Sequence, residues 1–301
     1  MKTLFLLCAT AALCLFASCE SPTKQMPYNQ GINVIPKPLS LVQNEGSFKV
    51  TKSTKFYAST PEAKTIATFF ASKIESSTGY DLAISEEEVS SNAIALLIDN
   101  SLEVNDEGYT LDATDKLVSI KAKTAKGLFY GMQTLMQLLP AEIESTTVVN
   151  GIAWTLPCVT IKDEPRFAYR GIMLDPCRHF IPVENIKKQL DVLALFKINQ
   201  FHWHLTEDQG WRIEIKKYPK LTEIGSKRVD GEGTEYSGFY TQEQIKEVVA
   251  YASERFINVI PEIELPGHAL AAISAYPELS CKSDSLSPRI IWGVEEDVYC
   301  A

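Results

Sequence analysis

Residues 170–212 read RGIMLDPCRHFIPVENIKKQLDVLALFKINQFHWHLTEDQGWR, and two short apolar runs in this stretch each end in charge. The first, residues 171–175, stops at Asp175 and is followed by Arg178 and His179; the second, residues 200–205, stops at Glu207 and Asp208. A third run, residues 258–263, ends in Glu264 with His268 just beyond. A planar guanidinium such as Arg178 suits two adjacent hydroxyls, its alternative use being a surface or interdomain ion pair. His202 and His204 are two apart, so on a strand both face one side while Phe201, Trp203 and Leu205 face the other. Two imidazoles on one face with carboxylates nearby could bind zinc if His268 joined them. The alternative is a hydrogen-bonded layer that shapes a pocket floor, and that reading is preferred, with no metal assigned. Glu207 and Asp208 are neighbours, and neighbours in extended chain point apart, so they flank one bond only if the chain turns sharply. Glu295-Glu296-Asp297 follows Trp292-Gly293-Val294 rather than a strand end and reads as a solvated acidic run.

The elements that must carry these residues are legible around them. Residues 183–197 place Ile186, Leu190, Leu193 and Phe196 near helical spacing between the first two runs. Thr241 with Gln244 matches a capping box, and Ile245, Val248, Val249 and Ala252 form an apolar stripe leading to the third run. Strand, helix, strand with polar groups at the C-terminal strand ends is how a (β/α) barrel builds an active site. Three such units reach residue 279, whereas a closed barrel needs eight units and about 250 residues. Three parallel strands leave an unpaired edge, which points to a longer protein truncated here or to a covering partner. Upstream, residues 48–51 and 55–59 are short strand candidates, residues 93–98 a buried strand, and residues 109–113 with 117–122 a hairpin. Residues 61–77 and 124–139 are amphipathic helices. A sheet faced by two helices follows, a structural side domain without clustered titratable groups. Pro165 keeps Glu164 extended at the junction. The expected fold is therefore α/β: an α+β domain over 31–160, then the first part of a (β/α)8 barrel over 161–301.

The net charge of −9 over 301 residues argues against a nucleic-acid partner, which would need a basic surface. Residues 1–18 have a charged start, an apolar run and small residues before Cys19, the pattern of an export signal too short to span a membrane. Ala17-Ser18-Cys19 resembles a bacterial lipobox, with Cys19 as the lipidated residue and residues 19–30 as a polar tether. Ordinary cleavage nearby is the alternative. The expected location is exported and lipid-anchored, periplasmic or at the cell surface, with membrane contact through the anchor only. Of the remaining cysteines, Cys158, Cys177, Cys281 and Cys300, none forms a CxxC motif. Cys281 and Cys300 could close a loop, and four free buried thiols are the alternative.

RGxxLDxxRHF, FHWHLTEDQGW, PEIELPGH at residues 261–268, AYPEL at 275–279 and WGVEEDVYC at 292–300 together resemble family 20 glycoside hydrolases, the β-N-acetylhexosaminidases. The resemblance covers the chain from about residue 35 onward. It implies removal of terminal, non-reducing β-linked N-acetylglucosamine or N-acetylgalactosamine from glycans, with retention. The substrate's own acetamido oxygen would act as nucleophile, an exception to the two-carboxylate scheme, and no cofactor is implied. Carried over by motif, Arg178 holds the sugar hydroxyls, with His204 and Asp208 as further substrate-binding candidates. Glu207, where the family has Asp, bonds His268 in support of a catalytic acid, and Glu264 braces a catalytic Asp. That Asp-Glu pair, in a Gly-Gly-Asp-Glu setting, is absent from the sequence and expected after Ala301, so this polypeptide is expected to be inactive as given. Two alternatives stand beside this: a metal-dependent barrel hydrolase using His202, His204 and His268, and a non-catalytic surface glycan-binding lipoprotein.

Overall fold

The computed structural model describes residues 31–229, 231–282, 286–291, 293 and 296–300. The expected leader, Cys19 and the tether, together with Glu295 of the acidic run, lie outside the described residues. Seven strands of the first half form one mixed sheet: β1 (Ser40–Lys49), β2 (Lys55–Ala58), β3 (Ile84–Ser85), β4 (Ala93–Ile98), β5 (Tyr109–Ala113), β6 (Leu117–Ala122) and β7 (Thr155–Asp163). Their order is β1-β7-β5-β6-β4-β2-β3. β5 and β6 pair as the expected hairpin, with Leu111 opposite Ile120, while β6, β4 and β2 run parallel. Three strands escape the sequence pattern, the two-residue β3 among them. β1 begins eight residues before the expected 48–51 strand and is exposed along most of its length, so it carries no apolar alternation. β7 pairs between β1 and β5 and extends the sheet beyond residue 160 to Asp163.

Helices α1 (Pro61–Thr78) and α2 (Ala125–Leu138) pack on this sheet and on each other. Thr60 caps α1 by accepting from the Ala63 N–H, Pro61 fits the first turn, and Gly79 ends the helix at φ 70°. α2 buries the consecutive residues Leu128, Phe129, Tyr130, Gly131, Met132 and Gln133. A helix buried on more than one face must be covered on more than one side. Its sheet side needs glycine: a Cβ at Gly127 would lie 2.5 Å from the Gly108 carbonyl, and one at Gly131 2.5 Å from Ile120 Cγ2. Its other side meets the second half, where Phe256 stacks on Phe129 at 5.3 Å.

The second half is a partial barrel. Strands β8 (Gly171–Leu174), β9 (Gln200–His204) and β14 (Asn258–Glu262) form a parallel sheet in the order β14-β9-β8. Helix α3 (Val183–Leu195) links β8 to β9, α5 (Gln242–Ser253) precedes β14, and α6 (Leu270–Ala275) follows it. Between β9 and α5 lies an excursion that periodicity did not reveal. It holds the hairpin β10 (Thr206–Glu207) and β11 (Gly210–Trp211), the short α4 (Lys220–Glu223), and a second pair, β12 (Arg228–Val229) and β13 (Glu235–Tyr236). The capping box of Thr241 and Gln244 is present. The stripe on α5 is narrower than expected: Val248 and Ala252 are buried, but Val249 is 44% exposed. The seam between α5 and α3 is instead partly polar, because Tyr251 and Arg255 both reach Asp191 and Lys187 meets Glu247.

Buried charge joins the two halves. Lys197, just past α3, donates to Asp163 Oδ2 and to the Tyr109 hydroxyl, each at 2.9 Å. Burial pushes the lysine pKa down, opposed by Asp163, and pushes the tyrosine pKa up. Beside them, Arg170 donates to Glu107 at 2.5 Å and to the Lys197 carbonyl at 2.7 Å. Removing the acid of such a pair leaves a buried cation uncompensated. Asp163→Ala is therefore expected to destabilise the protein by about 3–5 kcal/mol, read from the urea unfolding midpoint, and Lys197→Met in that background should recover part of the loss.

Candidate active site

The parallel register sets the layers at the C-terminal end of the partial barrel. Met173, His202 and Ile260 are partners across the sheet, and Glu262 pairs with His204 one layer above. The opposite face carries Phe201, Trp203 and Leu205, all at most 1% exposed, with Trp203 stacked on Tyr240 at 4.7 Å. Side-chain alternation thus sends the imidazoles to the polar face, as their spacing requires.

Asp175 closes β8. Its Oδ1 accepts from the N–H groups of Cys177 and Arg178, and its Oδ2 accepts from Arg178 Nη1 at 2.6 Å. Arg178 Nη2 reaches Glu207 Oε1 at 2.5 Å, so the guanidinium bridges two carboxylates. Burial alone would raise the Asp175 pKa, but the Arg178 pairing and the two N–H bonds hold it below the usual range. Burial works against the Arg178 charge too, and Asp175 and Glu207 more than offset it. About a third of the Arg178 side chain stays exposed, which leaves donors free to meet a ligand.

The β10–β11 hairpin turns at Asp208-Gln209, with Glu207 opposite Gly210. This is the sharp turn that extended geometry would not provide, and it brings the carboxylates of Glu207 and Asp208 to the same imidazole. His268 Nδ1 lies 2.8 Å from Glu207 Oε1 and 3.8 Å from Asp208 Oδ2. His268 itself sits at φ 51°, a left-handed value uncommon outside glycine, after the Pro266-Gly267 turn. Asp208 is 2% exposed, and its Oδ1 accepts from the Leu270 N–H at the start of α6. It holds the floor in place rather than facing solvent.

Glu262 Oε2 lies 2.6 Å from His202 Nε2 and 2.7 Å from His204 Nδ1. Glu264 lies beside Glu262 and His204, the three offering ligand atoms within 4.8 Å of one another, and its backbone N–H donates to Thr206 Oγ1. The site therefore has two clusters: Arg178 with Asp175, Glu207 and His268, and Glu262 with His202, His204 and Glu264. The zinc alternative required His202, His204 and His268 together. Among the described residues, His204 groups with Glu262 and Glu264 while His268 groups with Glu207 and Asp208. Sequence reasoning assigned no role to Asp175 or Glu262, although Glu262 and Glu264 repeat the i, i+2 spacing of the histidines.

Behind the site, Arg212 is fully buried and donates to the carbonyls of Pro176, Cys177, Ser226 and Gly238. Cys281 and Cys300 form a disulfide, and Cys158 and Cys177 are free and buried. The loop they close touches the floor, since the Arg289 N–H donates to the Asp208 carbonyl and Tyr299 N–H to that of Pro266. Because the Asp175 pKa is depressed in the fold, its contribution is present above the ordinary value of about 3.9 and lost as pH falls through the folded value. The unfolding midpoint is expected to drop below about pH 4, and Asp175→Asn should flatten that part of the profile.

Residues 31–164 match the family model "Glycosyl hydrolase family 20, domain 2", and residues 167–301 match "Glycosyl hydrolase family 20, catalytic domain". A β-hexosaminidase of Porphyromonas gingivalis is 56% identical over 298 residues, which take in 98% of this chain and 38% of that protein. The family 20 β-N-acetylhexosaminidase of Streptomyces coelicolor A3(2) superposes with a TM-score of 0.82 at 36% identity, over 89% of this chain and 53% of that one. A mutant Streptomyces plicatus β-hexosaminidase in complex with its product GlcNAc gives 0.81 at 36% identity, over 89% and 52%. The chain thus spans between 38% and 53% of the length of these relatives. Its sheet domain and its partial barrel each correspond to one domain of the same family, and the chain belongs to glycosyl hydrolase family 20.

Proposed function

We propose that the protein acts on glycans as a β-N-acetylhexosaminidase, releasing terminal non-reducing β-linked N-acetylhexosamine by a substrate-assisted, retaining route. The observation that carries this is Arg178: a guanidinium at a strand end, oriented on both sides by Asp175 and Glu207, yet still partly open. Such a fork recognises adjacent hydroxyls with fixed geometry. The product-bound Streptomyces relative supports N-acetylglucosamine as the sugar. In the reaction the acetamido oxygen bonds C1 as the C1–oxygen bond to the leaving group breaks, and that oxygen takes a proton from an acid. Water then opens the oxazolinium ring with net retention. His268, held by Glu207, is placed to support the acid, while His204 and Asp208 act through their neighbours because both are buried. No residue described above is given the role of the acid itself.

Binding is the first test. N-acetylglucosamine titrated into the protein is expected to bind, more weakly by about tenfold or more in Arg178→Lys, and not measurably in Arg178→Ala. Absence of binding by the unaltered protein would sink the reading. Release of nitrophenol from an aryl N-acetyl-β-glucosaminide, abolished by Arg178→Ala, supports hydrolysis; binding without release supports a glycan-binding role instead. We also propose export and lipid anchoring at Cys19, supported by the lipobox pattern of Ala17-Ser18-Cys19. In cells, the protein is then expected in the detergent phase, and Cys19→Ser should move it to the aqueous phase.

A further inference from the structure

Among the described residues, three groups of histidine, cysteine and carboxylate side chains converge at the barrel end, each with its donor atoms within 4.8 Å. Two of these groups are already spent. In the first, Asp175 accepts from Arg178 and from two backbone N–H groups, and Cys177 Sγ donates to the His204 carbonyl. In another, Glu207 accepts from Arg178 and faces His268, while Asp208 accepts from the Leu270 N–H. The group of His204, Glu262 and Glu264 differs. Glu262 Oε2 lies 2.6 Å from His202 Nε2 and 2.7 Å from His204 Nδ1, yet it takes part in no hydrogen bond, and neither does either nitrogen of His204. The atoms are close but misaligned for a proton between them. The His204 side chain is 6% exposed, so solvent does not satisfy it either. Buried polar atoms without a partner call for an account, and lone pairs that converge on one point are what a cation collects.

We propose that His202, His204, Glu262 and Glu264 form a binding site for one divalent cation of the zinc class. The donor set selects the metal. Two neutral imidazoles disfavour calcium and magnesium, which take oxygen ligands, and the lack of a thiolate in the group disfavours copper(I). Two nitrogens and two carboxylate oxygens fill a tetrahedral zinc shell. His204, Glu262 and Glu264 supply three of these donors, and His202 Nε2 is brought up to the same Glu262 oxygen. Tetrahedral donors with bonds of about 2.0–2.2 Å stand about 3.3 Å apart, so the rings and the carboxylate open by about 0.6 Å when the ion enters. The side chains of His202 and Glu262 are 34% and 26% exposed, which allows that movement and gives the ion a way in. This group is not the one weighed from the sequence, which needed His268 and had no place for the glutamates. A filled shell leaves no position for water. The ion therefore ties β9 to the end of β14 and balances two carboxylates, and the hydrolytic route proposed above makes no use of it.

Zinc titrated calorimetrically into the full chain, after dialysis against EDTA, is expected to bind at one ion per chain with a micromolar or tighter Kd. Excess calcium or magnesium should not compete. In histidine-selective 15N NMR, one equivalent of zinc should move His202 and His204 and leave the other two of the four histidines, His179 and His268, in place. Loss of an outer-shell partner already weakens a metal site by about 10–100-fold, so removing a ligand in Glu264→Gln should weaken zinc binding by about 100-fold or more. His202→Asn, at the more exposed ring, is expected to do the same and serves if Glu264→Gln does not fold, as the unfolding midpoint will tell; the NMR comparison needs no variant. Uptake only at millimolar zinc, competition by calcium, movement of His268 in place of His202 and His204, or unchanged affinity in either folded variant would overturn the proposal.

Discussion

Arg212 is a guanidinium taken wholly out of water, and among the described residues it forms no ion pair. It donates instead to four backbone carbonyls, those of Pro176, Cys177, Ser226 and Gly238. Burial lowers its pKa to about 10, so it remains charged at neutral pH, and the carbonyl dipoles supply what solvent no longer does. Three segments around the site meet at these four contacts. Pro176 and Cys177 lead directly into Arg178, Ser226 lies just before β12, and Gly238 lies just before Tyr240, on which Trp203 stacks. The packing leaves no room for adjustment: a Cβ at Gly210 would lie 2.4 Å from the guanidinium, and one at Gly238 2.3 Å from the Phe180 ring. An ammonium in its place has three donors and no planar fork, so it could not span the same carbonyls.

The near end of the parallel sheet is fixed in a different way. Arg170 opens β8 and is bound to Glu107 of the sheet domain, while Asn199 opens β9 and donates to the carbonyl of Ala168 and to Glu107. The sheet domain therefore holds the strands at their starts, and Arg212 holds the loops at their ends. This gives the first domain a mechanical role, although it offers no titratable cluster to the site. An active site on a barrel tolerates little misplacement, and here the strands that carry Asp175 and His204 are held at both ends.

How much of this the chain reveals without coordinates follows from where the physics is local. The Thr241-Gln244 capping box, the helix start at residue 61 and the alternation of QFHWHL are set by neighbours within a few residues, and all three read directly. β1 and β7 are set by pairing partners more than a hundred residues apart, and β1 is too exposed to show an apolar period. The excursion between β9 and α5 contains two-residue strands and a four-residue helix, too short for any periodicity to register. Val249 shows the converse failure, an apolar residue in register for burial but left in solvent because the seam beside it is built from Asp191, Tyr251 and Arg255. At the site the residue types and the faces were legible, whereas the choice of partner was not. Nothing in the order of residues says that His268 meets Glu207 while His202 meets Glu262.

That division of partners is a solution to a charge problem. Asp175, Glu207, Asp208, Glu262 and Glu264 crowd one end of a three-stranded sheet, and solvation of five carboxylates there would compete with any ligand. Arg178 neutralises one subset, spanning Asp175 and Glu207, while Asp208 is spent on the first turn of α6. The remaining pair, Glu262 and Glu264, lies beside the imidazoles of His202 and His204 instead, with Glu262 held below the usual carboxylate range and Glu264 pushed above it. The two devices differ in what they leave open. A guanidinium stays charged at any pH the fold survives, so the charge at Arg178 is insensitive to proton activity. A carboxyl with a raised pKa is not, so the charge of the wall at Glu264 follows pH.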